Sequence, residues 1–350
     1  MRIAFGTGAY RLGESAEFAA QRMLNAYVEV ASPGSEAPAY VRQRYGIDDF
    51  ATPGTGPIRG GGVVRGVLYV VSGTQAYRVF SSGASSLLGT VNGTGRVVVR
   101  GDETNVVFLS DNVMYAWNGS TLAQVTDADA PTTAWLDVLD GYYVGSNVDT
   151  GQFYVSANRD PTSWNALDFA SAEKYPDDIV TGIVDHGELI LFGTESGEVY
   201  YNSGNADFPL DKVPSGHFEV GCLSVRGPAK LDNTVFFPGS DFVVYRLNGY
   251  VPERISTHAI ESRLRAATDN NFVGMAWTEA GHKFYALTCA DFTVVYDVAT
   301  QLWHERESYG YSYWRPSFVA SAYERLFCGD ILSNKVGELE SEVVTDWGDP

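Results

Sequence analysis

Residues that commonly perform catalysis or bind metals are few in this sequence and lie far apart. The histidines are His186, His217, His258, His282 and His304. They form neither an HxH nor an HExxH pattern, the spacings that bring two imidazoles to one metal ion. There is no GxSxG nucleophile turn or GxxxxGK[ST] phosphate loop, and the glycine run at 60–62, without such a lysine, predicts close backbone packing. We therefore predict that the chain is not an enzyme and has no catalytic residue, metal site or bound cofactor.

The three cysteines, Cys222, Cys289 and Cys328, show no CxxC spacing and have no nearby histidine with metal-ligand spacing. Each adjoins strand-forming residues, so we predict that they are small buried hydrophobic side chains. An odd number of widely spaced cysteines fits folding in a reducing compartment. The N-terminus lacks the apolar segment of a secretion signal, and no run of about 18 apolar residues predicts a membrane span.

The chain is strongly acidic, with 43 Asp and Glu residues against 24 Lys and Arg residues and a formal net charge of −19. Proteins that grip duplex DNA neutralise its phosphates with basic side chains and gain affinity from the released counterions. An excess of carboxylates repels a duplex, so the composition argues against ordinary DNA binding. It fits the wall of a channel through which DNA slides, but the charge alone favours the simpler explanation that it only keeps the protein in solution.

From residue 58 onward, short apolar runs alternate with turns rich in Gly, Asn, Asp and Ser. The 37 Gly, 21 Tyr and 18 Phe residues are typical of strands and tight turns rather than of long helices. In the repeated unit, an apolar strand such as 67–71 and a tight turn precede a second strand, such as 76–80, with a tyrosine near its centre. First strands begin near Ile58, Arg96, Thr132, Ile179, Leu223, Phe272 and Arg315. This spacing is close to the roughly 40–45 residues of a four-stranded propeller blade.

The repeat predicts an all-β chain that forms a β-propeller of about seven blades. Because the last unit is short, six blades with a closing strand are one alternative, and two successive β-sandwiches are another. In a propeller each blade covers the apolar faces of its neighbours, and ring closure leaves few open edges. We expect residues 1–57 to be an irregular lead-in that packs on the propeller or on neighbouring subunits, and residues 58–340 to form the propeller. Residues 341–350 would be an acidic end, with truncation before a further domain as one alternative.

Two segments have a helical pattern. In the lead-in, residues 16–30 could form an isolated helix. Later, Thr257 can cap the N-terminus of a short inter-blade helix whose apolar stripe contains Ile260 and Leu264, at a spacing of one turn. This helix would be either a strut on its own propeller or a contact with another subunit. Ile260, Arg263 and Leu264 are the candidate residues for that subunit interface.

Glycan binding or degradation, in host recognition, is a second class of function for a propeller. Exposed tryptophans would stack on sugar rings, whereas tryptophans beside strands are expected to pack inside the blades. The candidates are Trp135, Trp164, Trp277 and Trp303. Propeller glycosidases often carry repeated S-x-D-x-G-x-T-W turns, and these do not occur here. A scaffold for cellular protein partners is a third class, which no feature of the sequence favours.

A set of segments in the central part of the chain carries a resemblance to a known family. These are PDDIVTGI at 176–183, HGELILFG at 186–193, SGNADFP at 203–209, EVGC at 219–222, KLDNTVFF at 230–237, YRLNGY at 245–250 and RISTHAIE at 254–261. Near the start, QR at 21–22, NAY at 25–27, TPG at 52–54 and RG at 59–60 fit the same set. Through them, nearly the whole chain resembles the packaged-DNA-stabilisation proteins of short-tailed bacteriophages, which include tail hub, nozzle and tail accessory factors.

The resemblance implies a structural protein of the virion tail, assembled in the host cytoplasm. It implies a β-propeller subunit that forms a ring, of about six copies, below the portal and its head-completion adaptor. Other expected partners are the tail needle, spike or fibre proteins, and genomic DNA that passes through the lumen without sequence-specific binding. Such a ring extends the DNA channel and helps to retain the packaged genome. Relatives typically continue into a further C-terminal β region, whereas this sequence ends at Pro350.

Overall fold

The computed structural model describes residues 22–30, 39–172 and 177–350. Within these ranges the chain forms seven four-stranded antiparallel sheets, one two-stranded sheet and one helix. The four-stranded sheets are the blades of a β-propeller, so the prediction of about seven blades is confirmed. Among the described residues, no helix has the length and apolar character needed to cross a membrane.

The strands follow one another along the chain with short connections. The first three are β1 (Ala26–Val30), β2 (Ala39–Gln43) and β3 (Gly46–Ala51). Blade 1 contains β4 (Ile58–Val64), β5 (Val67–Ser72), β6 (Gln75–Val79) and β7 (Ser85–Thr90). Blade 2 contains β8 (Val97–Gly101), β9 (Val106–Ser110), β10 (Val113–Trp117) and β11 (Leu122–Gln124). Blade 3 contains β12 (Asp137–Leu139), β13 (Tyr142–Ser146), β14 (Gln152–Ala157) and β15 (Asp160–Ser171).

The remaining blades repeat this order, with one helix between blades 5 and 6. Blade 4 contains β16 (Ile179–Asp185), β17 (Glu188–Gly193), β18 (Gly197–Asn202) and β19 (Leu210–Phe218). Blade 5 contains β20 (Ala229–Leu231), β21 (Thr234–Pro238), β22 (Val244–Asn248) and β23 (Val251–Arg254), and is followed by α1 (His258–Arg265). Blade 6 contains β24 (Val273–Glu279), β25 (His282–Thr288), β26 (Thr293–Asp297) and β27 (Leu302–Glu305). Blade 7 contains β28 (Pro316–Ala322), β29 (Arg325–Asp330), β30 (Val336–Glu340) and β3.

The core lies between blades rather than inside any one of them. In β5, Leu68 and Val70 pack against blade 7, whereas Tyr69 and Val71, on the opposite face of the strand, pack against blade 2. A strand sandwiched in this way is buried on both faces, which explains its continuous apolar run. Seven apolar clusters of described residues each join one blade to the next, and the last joins blade 7 to blade 1. The blades therefore cover each other in a closed circle.

Blade 7 is completed by a strand from the start of the chain. β3 pairs antiparallel with β30, and Ile47 lies opposite Leu339. Residues 46–51 thus belong to the propeller, and the predicted boundary between a lead-in at 1–57 and a propeller at 58–340 is wrong in this respect. The sequence supplies only three strands for the last blade, and pairing with β3 satisfies the backbone groups at the edge of β30. This explains why the last unit seemed short.

The C-terminal segment holds β3 from its other edge. Ile47 N donates to the Thr345 carbonyl at 2.8 Å, and Trp347 N donates to the Ile47 carbonyl at 2.7 Å. Arg44, just before β3, makes a bidentate ion pair with Asp346, with both N–O distances at 2.8 Å. The acidic end at 341–350 is therefore packed on the propeller beside the strand that closes it.

Part of the predicted helix at 16–30 is a strand. Residues 26–30 form β1, which pairs with β2, and residues 16–21 lie outside the described part of the chain. The sequence AYVEV contains a tyrosine and two valines, residue types that suit a strand better than a helix. Tyr27 anchors β1 to blade 6, with its ring 5.1 Å from that of Phe284.

Glycines in the first strands allow neighbouring blades to approach closely. A Cβ added to Gly60 in β4 would lie 2.1 Å from the carbonyl oxygen of Val97 in blade 2. A Cβ added to Gly274 in β24 would lie 2.0 Å from the carbonyl oxygen of Gly227, just before blade 5. Both contacts are with backbone, which cannot rotate away as a side chain can. The prediction that the run 60–62 reflects close packing is confirmed.

We expect Gly60→Ala to lower the free energy of unfolding by about 1–3 kcal/mol, because blades 1 and 2 would have to separate to accommodate the methyl group. Equilibrium denaturation monitored by tryptophan fluorescence would measure the change. Gly151→Ala is the matched control, since its added Cβ would come no nearer than 3.3 Å, to the Asp177 carbonyl oxygen. Equal stability of the two variants would contradict the close approach of the blades at Gly60.

Candidate functional site

The first strands of the blades surround a channel along the propeller axis. Two cavities, of about 150 Å³ and about 390 Å³, occupy this channel. Residues from all seven blades or the segments just before them line the smaller cavity, so it lies at the centre of the ring. The two cavities share Arg96, Val225, Arg226 and Val273, which places these four residues at their junction.

Two arginines meet across the channel at this junction. Arg96 precedes the first strand of blade 2, and Arg226 precedes the first strand of blade 5. The Arg226 Nη2 donates to the Arg96 carbonyl oxygen at 3.2 Å, and the Arg96 Nη1 donates to the carbonyl oxygen of Ser317 in blade 7 at 3.1 Å. These two hydrogen bonds join three separate blades across the axis. Burial and the charge of Arg226 lower the pKa of Arg96 to about 10, so both guanidinium groups are charged at neutral pH.

Other arginines near the channel have either several hydrogen-bond acceptors or an acidic partner. Arg59 in β4 donates to three backbone carbonyls and to the hydroxyl of Ser110. Arg100 in β8 forms an ion pair with Asp137 of blade 3, with an Nε–Oδ1 distance of 3.1 Å. By contrast, no carboxylate of the described residues forms an ion pair with Arg96 or Arg226.

Sequence reasoning missed this pair, although a signal for it exists. Arg59, Arg96, Arg226 and Arg315 each lie at or just before the first strand of a blade. Aligning the repeats on these positions would have placed several arginines at one level of the channel. It would not have shown which of them lack an acidic partner, because that partner comes from different places in the repeat: Asp137, which pairs with Arg100, lies on a first strand, and Asp330, which pairs with Arg315, lies on a second strand.

Two of the histidines, His282 and His304, both pack against Tyr27 and against Phe284 of blade 6, whereas His186 and His258 lie elsewhere on the surface. His186 and His258 are exposed, the former with its Nδ1 2.8 Å from Asp185 Oδ2. His282 is buried, with its Nδ1 2.8 Å from Asp297 Oδ2, and burial lowers the pKa of His304 well below its usual value. In the part of the chain that the structure describes, no three His, Cys, Asp or Glu side chains lie close enough to hold a metal ion.

The cysteines are buried and unpaired, as predicted. Cys222, Cys289 and Cys328 form no disulfide with one another, and each packs in an inter-blade cluster. Burial raises the pKa of the Cys222 thiol to about 12. Because the thiolate is the reactive form, this cysteine is inert at neutral pH.

The tryptophans proposed for sugar stacking are not on the surface. Trp135, Trp164, Trp277 and Trp303 are all buried, the most accessible of them being 6% exposed. Their indole N–H groups are used internally: the Trp135 Nε1 donates to Ser146 Oγ at 2.7 Å, and the Trp303 Nε1 donates to the Ile255 carbonyl at 3.0 Å. The hypothesis that these rings bind glycans is therefore wrong, and the competing prediction of packing within the blades is confirmed.

The inter-blade helix forms as predicted, with Thr257 as its N-cap. Its candidate interface residues are nevertheless turned inward. Ile260 and Leu264 are at most 1% exposed and pack between blades 5 and 6. Arg263 pairs with Glu305 at 2.7 Å, and its side chain is largely buried. The assignment of these three residues to a subunit interface is therefore corrected: the apolar stripe is a strut on its own propeller, because it covers the apolar edge that the two blades leave open.

Exposed apolar side chains lie on other elements. On the β1–β2 sheet, Val30, Tyr40 and Val41 are more than half exposed, and Tyr309 and Tyr311 project from the connection between blades 6 and 7. A polar groove of about 490 Å³ lies between blades 4 and 5. Its polar side chains bind one another across the two blades, as His186 Nε2 does with Asn233 Oδ1 at 2.6 Å. None of these positions was indicated by the sequence.

Comparison with protein families gives one match that spans nearly the whole chain. Residues 1–344 match the family described as Bacteriophage P22 Gp10, beta-propeller. A comparison with curated protein sequences gives no match.

Many solved structures share the fold at low sequence identity. The extracellular domain of the protein BT4673 from B. thetaiotaomicron is 10% identical, with a TM-score of 0.56 over 91% of this chain and 46% of that one. YCF48 from Cyanidioschyzon merolae is 9% identical, with a TM-score of 0.52 over 85% of this chain and 100% of its own. Raptor from Chaetomium thermophilum is 12% identical, with a TM-score of 0.51 over 85% of this chain and 30% of its own. At such identities these neighbours establish the propeller fold and nothing about function.

Proposed function

Because the chain belongs to the bacteriophage P22 Gp10 β-propeller family, we propose that it is a non-enzymatic structural subunit of a phage tail, where its copies form a hub or nozzle ring. In this proposal the ring lies below the portal and its adaptor, extends the DNA channel and helps to retain the packaged genome. About six copies form the ring, and tail needle, spike or fibre proteins contact its far side. The family match over residues 1–344 is the observation that carries the proposal.

The closed circle of blades supports a mechanical role. A ring subunit has to keep its shape under the pressure of packaged DNA, and a propeller deforms little because each blade is buried on both faces. The strand β3 and the C-terminal segment close this circle with backbone hydrogen bonds and the Arg44–Asp346 ion pair. Such closure favours a rigid building block over a domain that opens and shuts around a substrate.

The lining of the propeller channel supports a non-enzymatic role. Among the described residues around its two cavities, the charged side chains are arginines, and no carboxylate or histidine is present. Hydrolysis of a glycosidic bond requires a pair of carboxyl groups on either side of it. With the four candidate tryptophans also buried, neither the described lining of the channel nor these rings favour the glycan-active alternative.

The acidity of the chain supports passage of DNA without adhesion. With a formal charge of −19 per subunit, a ring wall would repel phosphates at short range. At physiological ionic strength this repulsion extends over about 8–10 Å, so it would act only close to the wall. Retention of the genome would then come from geometric blockage of the channel by the assembled tail rather than from binding.

We expect the full chain to form a discrete ring on portals that carry the adaptor and not on portals without it, as seen by mass photometry and negative-stain imaging. Particles assembled without the chain should package DNA and then release it, so that their genome becomes sensitive to added nuclease. Particles assembled with the chain are the control and should keep their DNA protected. A chain that stays monomeric with the portal and adaptor present would overturn the proposed ring.

A further inference from the structure

The arginine pair in the propeller channel has unused hydrogen-bonding capacity. A guanidinium group has five N–H donors. Within the described part of the chain, Arg96 and Arg226 each donate one hydrogen bond, in both cases to a neutral carbonyl oxygen. The Arg226 Nε is enclosed and has no partner. A ligand in the cavities would not reach this enclosed nitrogen, but the remaining Nη N–H groups of both side chains form no hydrogen bond with the described residues and can serve a further acceptor.

Among the described residues, no carboxylate contacts either of the two charges directly. Asp111 is a carboxylate whose charge favours the protonated form of Arg226. Its Oδ2, however, already accepts hydrogen bonds from the amides of Thr94 and Gly95, at 2.8 and 3.2 Å, and forms none with either arginine. Two cations that face each other in a partly buried channel repel, and the repulsion is stronger there than in water. A bound anion would remove this repulsion.

The space beside the pair is suited to a small anion. Arg96 and Arg226 line both cavities of the channel, of about 150 Å³ and about 390 Å³. A tetrahedral oxyanion takes about the volume of two water molecules, roughly 60 Å³, so either cavity has room for it. A neutral donor, the side-chain amide of Asn271, lies on the lining of the larger cavity. The hydroxyl of Thr181, on the smaller lining, is already used, since it donates to the Val225 carbonyl at 2.7 Å. No described residue on either lining is acidic.

We propose that the propeller channel is an anion site, in which an oxyanion accepts hydrogen bonds from the guanidinium groups of Arg96 and Arg226. Guanidinium groups bind phosphate, sulfate and carboxylate through paired N–H···O bonds, and such charge-assisted bonds are stronger than neutral ones. Because the two arginines come from blades 2 and 5, and Arg96 also binds blade 7, the anion would tie the ring together across its axis. This proposal goes beyond the role in the tail and does not depend on it.

Calorimetric titration of the full chain with inorganic phosphate, at constant ionic strength, tests the site. We expect saturable binding with a stoichiometry of one, accompanied by a rise in melting temperature that saturates over the same concentrations. Arg226→Met should weaken binding by about tenfold or more, because it removes charge-assisted hydrogen bonds. Arg78→Met is the matched control, since Arg78 is exposed on the third strand of blade 1 and its loss should leave binding unchanged.

Three further measurements keep the result unambiguous. If Arg226→Met does not fold, Arg226→Lys keeps the charge but not the paired N–H groups, and should bind phosphate several-fold more weakly than the unaltered chain. A parallel titration with glutarate distinguishes a carboxylate site from a phosphate site, and binding of either one supports the proposal. Anomalous scattering from soaked selenate should give a peak between Arg96 and Arg226. The proposed anion site would be overturned if neither phosphate nor glutarate bound saturably. It would also be overturned if the Arg226→Met variant, or Arg226→Lys in its place, bound phosphate as tightly as the unaltered chain.

Discussion

Replacing Glu279 with alanine is expected to lower the free energy of unfolding by about 3–5 kcal/mol, because it leaves a buried arginine without its counter-ion. Glu279 and Arg306 are both at most 1% exposed and lie 3.2 Å apart, Oε2 to Nη2. Glu279 also accepts hydrogen bonds from the amide of Tyr45 and from the Nε1 of Trp277, each at 3.0 Å. Equilibrium denaturation in guanidinium chloride, followed by tryptophan fluorescence, would measure the loss.

The packing around Arg306 explains why water cannot compensate. Its guanidinium carbon lies 4.8 Å from the ring of Trp277 and 5.1 Å from those of Phe284 and Trp314. Burial lowers the pKa of Arg306, while the charge of Glu279 opposes that shift. Without the carboxylate, the cation would be held in an aromatic pocket that has no anion to replace it.

Two comparisons distinguish the loss of a buried counter-ion from the loss of stability that any substitution of a glutamate could cause. Glu253→Ala removes the partner of Arg246 in a pair that is largely exposed, and should cost no more than about 1 kcal/mol. The double variant Glu279→Leu with Arg306→Met removes both charges and should recover most of the lost stability. A Glu279→Ala variant as stable as Glu253→Ala would show that Arg306 finds another partner or reaches water.

Local sequence signals were sufficient to predict the repeated part of the fold. Each blade is built from strands that follow one another along the chain and are joined by tight turns. A continuous stretch of about 40 residues therefore contains the whole pattern of a blade. The tyrosine near the centre of the second predicted strand is a case in point. Tyr77, Tyr200 and Tyr245 all lie on the third strand of a blade, and each hydroxyl donates to a side chain two or four residues earlier. Such short-range contacts leave a visible mark in the sequence.

Contacts between residues that are distant in the sequence could not be predicted from such local patterns. β3 pairs with a strand almost 300 residues later, and its sequence GIDDFA shows no strong strand pattern when read alone. The helix α1 is a second example: the sequence predicted its apolar stripe but did not predict which surface the stripe packs against. The same holds for Arg96 and Arg226, whose encounter depends on the circular arrangement of blades 2 and 5. Periodicity predicts which face of an element is buried, but not against what.

We expect Ile47→Ala to lower the free energy of unfolding by about 2–5 kcal/mol, because it leaves a cavity where the ring is closed. Ile47 is fully buried and belongs to the cluster that joins blades 6 and 7. It also lies opposite Leu339 in the pairing of β3 with β30, so its loss weakens the one contact that completes blade 7 from the N-terminal part of the chain. Denaturation midpoints would give the size of the change.

A closing strand should also show a local effect that an ordinary core position lacks. In Ile47→Ala, the amides of β30 should exchange with solvent faster than those of β21, because opening of β3 exposes only the former. Val251→Ala is the matched control, since Val251 also lies on the outer strand of a blade but is 66% exposed, and its loss should change neither stability nor exchange by much. Uniformly faster exchange in all blades would show that the circle opens as a whole and not at β3. The stability of the closed circle would then depend on all seven inter-blade clusters together, and the pairing of β3 with β30 would make only one contribution to it.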